Sequence, residues 1–198
     1  SDEDARFVRE LADKYQVPYY EAKFDTIAYA RQQGVSTQMA ARALRYEWFE
    51  ACRAQHHYDY IATAHHRGDA LETFLLNFVH GTGLSGLRGI LPISGPLFRP
   101  LLFTDRSELE AYVRTQKLEW REDSSNQSRT YQRNFIRHEI IPKLLQLNPS
   151  LPHTFADSSA RLRAAWTLVD DQLESWVARH QQVRNEEIWI PLAAFESI

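Results

Sequence analysis

One stretch of the chain concentrates groups that can do chemistry: His65-His66-Arg67-Gly68-Asp69-Ala70-Leu71-Glu72-Thr73. A strand-like run, Tyr58 to Ala64, precedes it, and a helical pattern follows from Asp69. Open α/β sheets bind ligands beyond the carboxyl ends of their strands. Asp69, Glu72 and Thr73 are three and four apart, so they share one helix face. Two carboxylates near a helix N-terminus can hold Mg2+ beside a nucleotide, since Mg2+ prefers oxygen ligands and keeps several waters. His66 can donate to a phosphate. The plainer alternative is that Asp69 caps the helix and its two neighbours are solvated. Zinc fits less well, because the spacing is not that of HExxH.

Two basic groups stand apart from that stretch. Arg42 and Arg45, with Tyr46 and Phe49, lie on a long helical pattern, where one or both arginines can clamp a phosphate bidentately. A solvated basic edge is the alternative there. Arg129, Arg133, Asn134, Arg137 and His138, with Lys143 beyond, form the second group. Arg133 and Arg137 are four apart and stack on one helix face. With Arg129 they make a local basic stripe suited to an RNA backbone or to nucleotide phosphates. Between the groups, Gly81, Gly83, Gly86 and Gly89 are four of the seven glycines in the chain. They predict a turn-rich connector or a loop that lets backbone approach a ligand closely.

The elements that must position these groups follow from hydrophobic periodicity. An amphipathic helix is expected from Ser1 to Lys14, a strand beginning at Val17-Pro18-Tyr19-Tyr20, and a short helix from Thr26 to Gln33 closed by Gly34. Ser36 caps a long helix through Gln55 that packs through Ala40, Ala43, Leu44, Trp48 and Ala51. The Tyr58–Ala64 strand is read as buried. The helix from Asp69 carries Leu71, Phe74, Leu75, Phe78 and Val79. Leu97 to Phe103 is a short apolar piece, and Thr104-Asp105-x-x-Glu108 caps a helix to about Gln116. Glu122 to Arg133 reads as an exposed loop, and Asn134 to Leu147 as a helix interrupted by Pro142. Asn148-Pro149 marks a boundary, followed by a long helix from Phe155 to His180 and a strand at Ile188-Trp189-Ile190. Alternation of helix and strand implies an α/β domain with a parallel sheet. Two strands before the glycine-rich loop are too few for a stable sheet, so the expectation is that further strands precede Ser1.

Composition narrows the classes. The 198 residues are 43% hydrophobic, 25% charged and 12% aromatic, with 23 Lys+Arg against 26 Asp+Glu and a formal net charge of -3. These are the proportions of a folded globular chain and not of a disordered or collagen-like one. The balance excludes a globally basic nucleic-acid coat protein but not a local basic face. Cys52 is the single cysteine, which excludes an intrachain disulfide and a cysteine-rich metal site. No apolar run approaches a membrane span, and the acidic start is unlike a signal peptide. A cytoplasmic location is expected.

Taken in order, these segments resemble the tRNA(Ile)-lysidine synthetases of the PP-loop (N-type ATP pyrophosphatase) superfamily. The resemblance rests on Ala64-His65-His66-Arg67-Gly68-Asp69-Ala70-Leu71-Glu72-Thr73, Gly81-Thr82-Gly83-Leu84-Ser85-Gly86-Leu87, Arg99-Pro100-Leu101, Glu122-Asp123-Ser124-Ser125-Asn126 and Arg133-Asn134-Phe135-Ile136-Arg137-His138. The stretch from Gln38 to Phe49 and the opening Ser1-Asp2-x-Asp4-Ala5 fit as well. The family's SGGxDS phosphate loop does not occur in these residues. The implied fold is α/β, a parallel-sheet PP-loop ATPase domain (adenine nucleotide alpha hydrolase-like), N-terminally incomplete over residues 1–148. A mainly helical linker or tRNA-binding domain would start at 149–198.

The activity implied by the resemblance is ATP-dependent ligation. The C2 carbonyl oxygen of the wobble cytidine in a minor isoleucine tRNA is adenylated, and lysine then displaces AMP to give lysidine. ATP and Mg2+ are the implied cofactors. tRNA(Ile) with a CAU anticodon and L-lysine are the implied partners, with no membrane and with a homodimer left open. The resemblance implies catalytic roles for Asp69 and Glu72, with Asp69 as the Mg2+ ligand. It implies ATP contacts for Arg42, Arg45, His65 and His66, and tRNA or phosphate contacts for Arg129, Arg133 and Arg137. The 198 residues alone are expected to be inactive. Two other readings are weighed beside this one: a PP-loop tRNA thiolase, which the single cysteine disfavours, and a non-catalytic RNA-binding module that uses the basic stripe without chemistry.

Overall fold

The computed structural model describes residues 2–121, 132–184 and 187–197. The chain divides into two compact units. One comprises Ser1–Ala64, Pro92–Pro100 and Val113–Asp123, and the other His65–Leu91, Leu101–Tyr112 and Ser124–Ile198.

In the first unit, α1 (Asp2–Tyr15), α2 (Thr26–Gln33) and α3 (Thr37–Gln55) are helices whose ends the local sequence dictates. Asp25 caps α2 by accepting from Ala28 N–H at 2.9 Å. Gly34 ends α2 in the left-handed conformation at φ 64°, which glycine adopts without steric cost. Ser36 caps α3 by accepting from Met39 N–H at 3.2 Å. Helix α3 packs through Ala40, fully buried, with Ala43, Leu44 and Trp48 half-buried and Ala51 exposed.

The sheet of this unit is small and mixed. Its strands are β1 (Ile61–Ala62), β2 (Ile93–Ser94) and β3 (Leu97–Phe98), in the order β1-β3-β2. β1 runs parallel to β3, with Ile61 opposite Leu97, and β2 runs antiparallel to β3, with Ile93 opposite Phe98. Two expectations are corrected here. Val17–Tyr20 is not a strand: Val17 N–H donates back to Ala12 O at the end of α1, and Pro18 has no N–H to offer a ladder. The Tyr58–Ala64 segment is strand only at Ile61–Ala62, and it is not buried: Tyr58 is 43% and Tyr60 61% exposed.

The second unit is built on α4 (Arg67–His80), α5 (Leu84–Leu87), α7 (Gln132–Phe135), α8 (Ile141–Leu147) and α9 (Leu151–His180), with α6 (Arg106–Thr115) beginning in it. The glycine-rich segment contains α5, tied to α4 by the Asn77 side-chain amide donating to Gly86 O at 3.0 Å. Arg133 stands in helix α7, not in a loop. A π-helical turn, Ile136–Ile140, joins α7 to α8, and Ile141 N–H donates to Ile136 O. Pro142 gives the physical reason: it has no N–H to continue the α-helical ladder, so the turn widens just before it. Asn148 stops α8 in an extended conformation, and its side chain accepts from Ser150 N–H at 3.0 Å before α9 begins. Beyond α9, β4 (Gln182–Arg184) and β5 (Glu187–Trp189) form an antiparallel pair. No helix among the described residues is long and apolar enough to cross a membrane.

Candidate functional site

The N-terminal turn of α4 sets the geometry. His66 is its N-cap, with extended backbone. Its Nδ1 accepts from Gly68 N–H at 3.0 Å, and its own N–H donates to Asp69 Oδ2 at 2.9 Å. This reciprocal pair satisfies two donors that a helix start otherwise leaves open. Gly68 is required for it, because a Cβ there would stand 2.8 Å from His66 Cε1. The expectation that Asp69 opens the helix is therefore corrected by two residues: the His66 imidazole takes the cap, and Asp69 answers from the third position.

Glu72, one turn further, is 2% exposed. A carboxylate at that depth costs several kcal/mol unless it is paired. Two arginines pair it. Arg133 Nε donates to Glu72 Oε2 at 2.8 Å, and its Nη2 donates to Asp69 Oδ1 at 3.2 Å. Arg137 Nε donates to Glu72 Oε1 at 2.5 Å, and its Nη2 reaches Oε2 at 2.8 Å and Asp69 Oδ1 at 3.5 Å. The side-by-side contact of Arg137 with both Glu72 oxygens is the bidentate form that guanidinium geometry favours. The hydrogen bonds donated to Glu72 raise the Arg137 pKa above the ordinary arginine value; burial opposes this, and the charges of Glu72 and Asp69 add to it. Two carboxylates and two guanidiniums thus cancel in one partly buried cluster, which can take up a cation or an anion only by exchanging partners.

The arrangement does not fit a metal held by Asp69. Asp69 Oδ1 and both oxygens of Glu72 already accept from guanidinium, and Asp69 Oδ2 accepts from the His66 backbone. Among the described residues, no group of three or more His, Cys, Asp or Glu side chains is placed to hold a metal ion.

The remaining expected residues are distributed as follows. His65 is half-buried at the start of the second unit. Arg42 and Arg45 belong to the first unit and are exposed on α3; the Arg42 guanidinium lies 4.7 Å from the Tyr46 ring centroid. His138 and Lys143 are exposed and take no part in the cluster. Arg129 and the Glu122–Asn126 motif lie outside the described residues.

One residue that the sequence did not single out is Arg67. Its Nη1 donates to Asp105 Oδ2 at 2.6 Å and meets His153 Nδ1 at 3.4 Å, and its Nη2 donates to Phe103 O. It fastens the first turn of α4 to the Leu101–Asp105 turn and to α9. The partners stand 38 and 86 residues away in sequence, beyond the reach of any spacing argument.

Comparison with known proteins adds a family to this geometry. The model of a PP-loop domain matches residues 1–144. A tRNA(Ile)-lysidine synthase of Porphyromonas gingivalis (strain ATCC BAA-308 / W83) is 48% identical over 152 residues, covering 76% of this chain and 34% of the relative. That of Parabacteroides distasonis is 42% identical over 187 residues, covering 94% of this chain and 42% of the relative. That of Petrotoga mobilis is 37% identical over 155 residues, covering 78% and 50%. The chain spans about a third to a half of the length of these curated relatives.

Proposed function

The chain belongs to the PP-loop domain family, and from that premise we propose that its protein ligates lysine to C2 of the wobble cytidine of a minor isoleucine tRNA with a CAU anticodon, at the expense of ATP. The C2 carbonyl oxygen attacks the α-phosphorus, and pyrophosphate leaves. The lysine amine then attacks C2, AMP leaves with the oxygen, and the amine proton passes to a carboxylate. The names of the relatives support this reading. The observation that carries it is the α4 cluster, in which Glu72 and Asp69 are held ready by Arg133 and Arg137.

In this proposal Asp69 and Glu72 receive the lysine ammonium and its proton, since carboxylates both hold and deprotonate an amine. Arg133 and Arg137, released by that exchange, turn to phosphate oxygens, together with Arg129. His65, His66, Arg42 and Arg45 are assigned to ATP. Mg2+ accompanies ATP as its phosphate counter-ion, with no ligand assigned from this chain. Residues 1–148 are proposed as part of the PP-loop domain and 149–198 as the start of a helical linker domain. The family match to residue 144 and the helix stop at Asn148 support that division. The cytoplasm is the proposed location.

The test is single substitution in the intact protein. Asp69→Asn and Glu72→Gln each abolish lysine incorporation into tRNA and the accompanying release of AMP, while far-UV circular dichroism is retained. Unchanged incorporation would sink the assignment. Pyrophosphate release that needs a sulfur donor instead of lysine would support a thiolase.

A further inference from the structure

Among the described residues, neither Arg88 nor Arg163 of the second unit pairs with a carboxylate, and both stand by the Trp166 face of α9. Arg88 follows α5 at the end of the glycine-rich segment, with its guanidinium carbon 5.4 Å from the Trp166 ring centroid. Ser159, Arg163 and Trp166 recur at i, i+4 and i+7, so they line one face of α9. Arg163 Nη1 donates to Ser159 Oγ at 2.7 Å, on a residue only 3% exposed. A hydroxyl accepts that hydrogen bond but leaves the positive charge unbalanced, and burial pulls the Arg163 pKa below the ordinary arginine value. The indole N–H of Trp166 is buried without an acceptor. Asp170, the nearest carboxylate beyond Trp166, forms no ion pair with either guanidinium.

Two guanidiniums on this face stand against one hydroxyl as acceptor, while the indole N–H is itself buried and not offered to a ligand. A half-buried guanidinium without a counter-ion is costly, and an anion with several oxygens relieves it. Arg88 stands over one face of the Trp166 ring, so that face offers charge in place of a bare stacking platform. A phosphodiester backbone is the ligand of that chemistry. We propose that Arg88, over Trp166, and Arg163, on the face of α9 that carries Trp166, form a backbone-phosphate site for the RNA substrate, separate from the Glu72 cluster. The proposal rests on the RNA-modifying reading above.

The experiment measures tRNA binding by the intact protein across a range of salt, for the wild type, Arg88→Gln, Arg163→Gln and the double variant. Each single variant weakens binding about fivefold. Each also reduces the slope of log K against log[salt] by about 0.8, the counterion equivalent of one phosphate. Arg88→Lys and Arg163→Lys restore most of the slope. The KM for tRNA rises while kcat at saturating tRNA holds, and Trp166→Phe removes a tRNA-induced fluorescence change. Lower thermal midpoints with an unchanged salt slope would make these residues packing contacts and overturn the site. So would inorganic phosphate that saturates the face without competing with tRNA. A wild-type protein that binds no tRNA removes the functional reading and this site with it; normal binding with indifferent variants removes this site alone.

Discussion

Glu72 is where burial and charge are most closely coupled. Its side chain is 3% exposed, while the Arg133 and Arg137 side chains are 35% and 25% exposed. Removing its charge leaves two guanidiniums without their main partner. Loss of one side of a buried pair costs about 3–5 kcal/mol, and the partial exposure of the arginines screens some of that. Glu72→Gln is therefore expected to destabilise the protein by about 2 kcal/mol, read as a shift in urea midpoint. Gly68→Ala acts by a different route: its methyl group drives the His66 imidazole from the cap. Its expected cost is about 1 kcal/mol, that of a lost N-cap. An unchanged midpoint would show that the imidazole finds another rotamer without penalty.

The helices were legible because their signals are local. Gly34, Ser36 and the Thr104–Glu108 box each act within four residues, and each ends or starts a helix where its type predicts. The strands were not, because pairing is decided by partners far away in sequence: β1 finds β3 36 residues on. The site was legible in part. Asp69 and Glu72 meet Arg133 and Arg137 as their spacings allow, but the spacing did not say that each pair satisfies the other. The Thr104–Glu108 box also carries a pH dependence. Glu108 accepts from Asp105 N–H at 2.8 Å and from the Thr104 hydroxyl at 2.7 Å, and these bonds hold its pKa below the ordinary value of about 4.5. A lowered carboxyl pKa stabilises the fold fully above the unfolded value, and that stability disappears as pH falls through the folded one. The start of α6 should therefore lose stability below about pH 4.5. Glu108→Gln should flatten that part of an acid titration of the thermal midpoint; identical curves would rule the effect out.

Across the molecule, the buried apolar residues among those described are few and small. Ala12, Ala30, Ala40 and Ala194 are four of them, and only Leu71, Ile136 and Phe155 are large. All three large ones fall in the second unit, where the Phe155 ring meets Phe74 edge-on at 5.4 Å between centroids. Phe155→Ala should cost about 3 kcal/mol, the usual loss for a deleted core ring. Leu147→Ala, at an 84% exposed position, should stay within about 0.5 kcal/mol. A urea midpoint shift at unchanged slope separates the two outcomes. Leu71 and Glu72 are neighbours on α4, so the helix that carries the two paired acids also anchors the apolar interior of its unit. Drift in that helix is constrained twice over, once by its ion pairs and once by cohesion. The arginine-bearing segment shares that double duty, since the buried Ile136 stands between Arg133 and Arg137 and no exchange there leaves both the ion pairs and the apolar interior untouched.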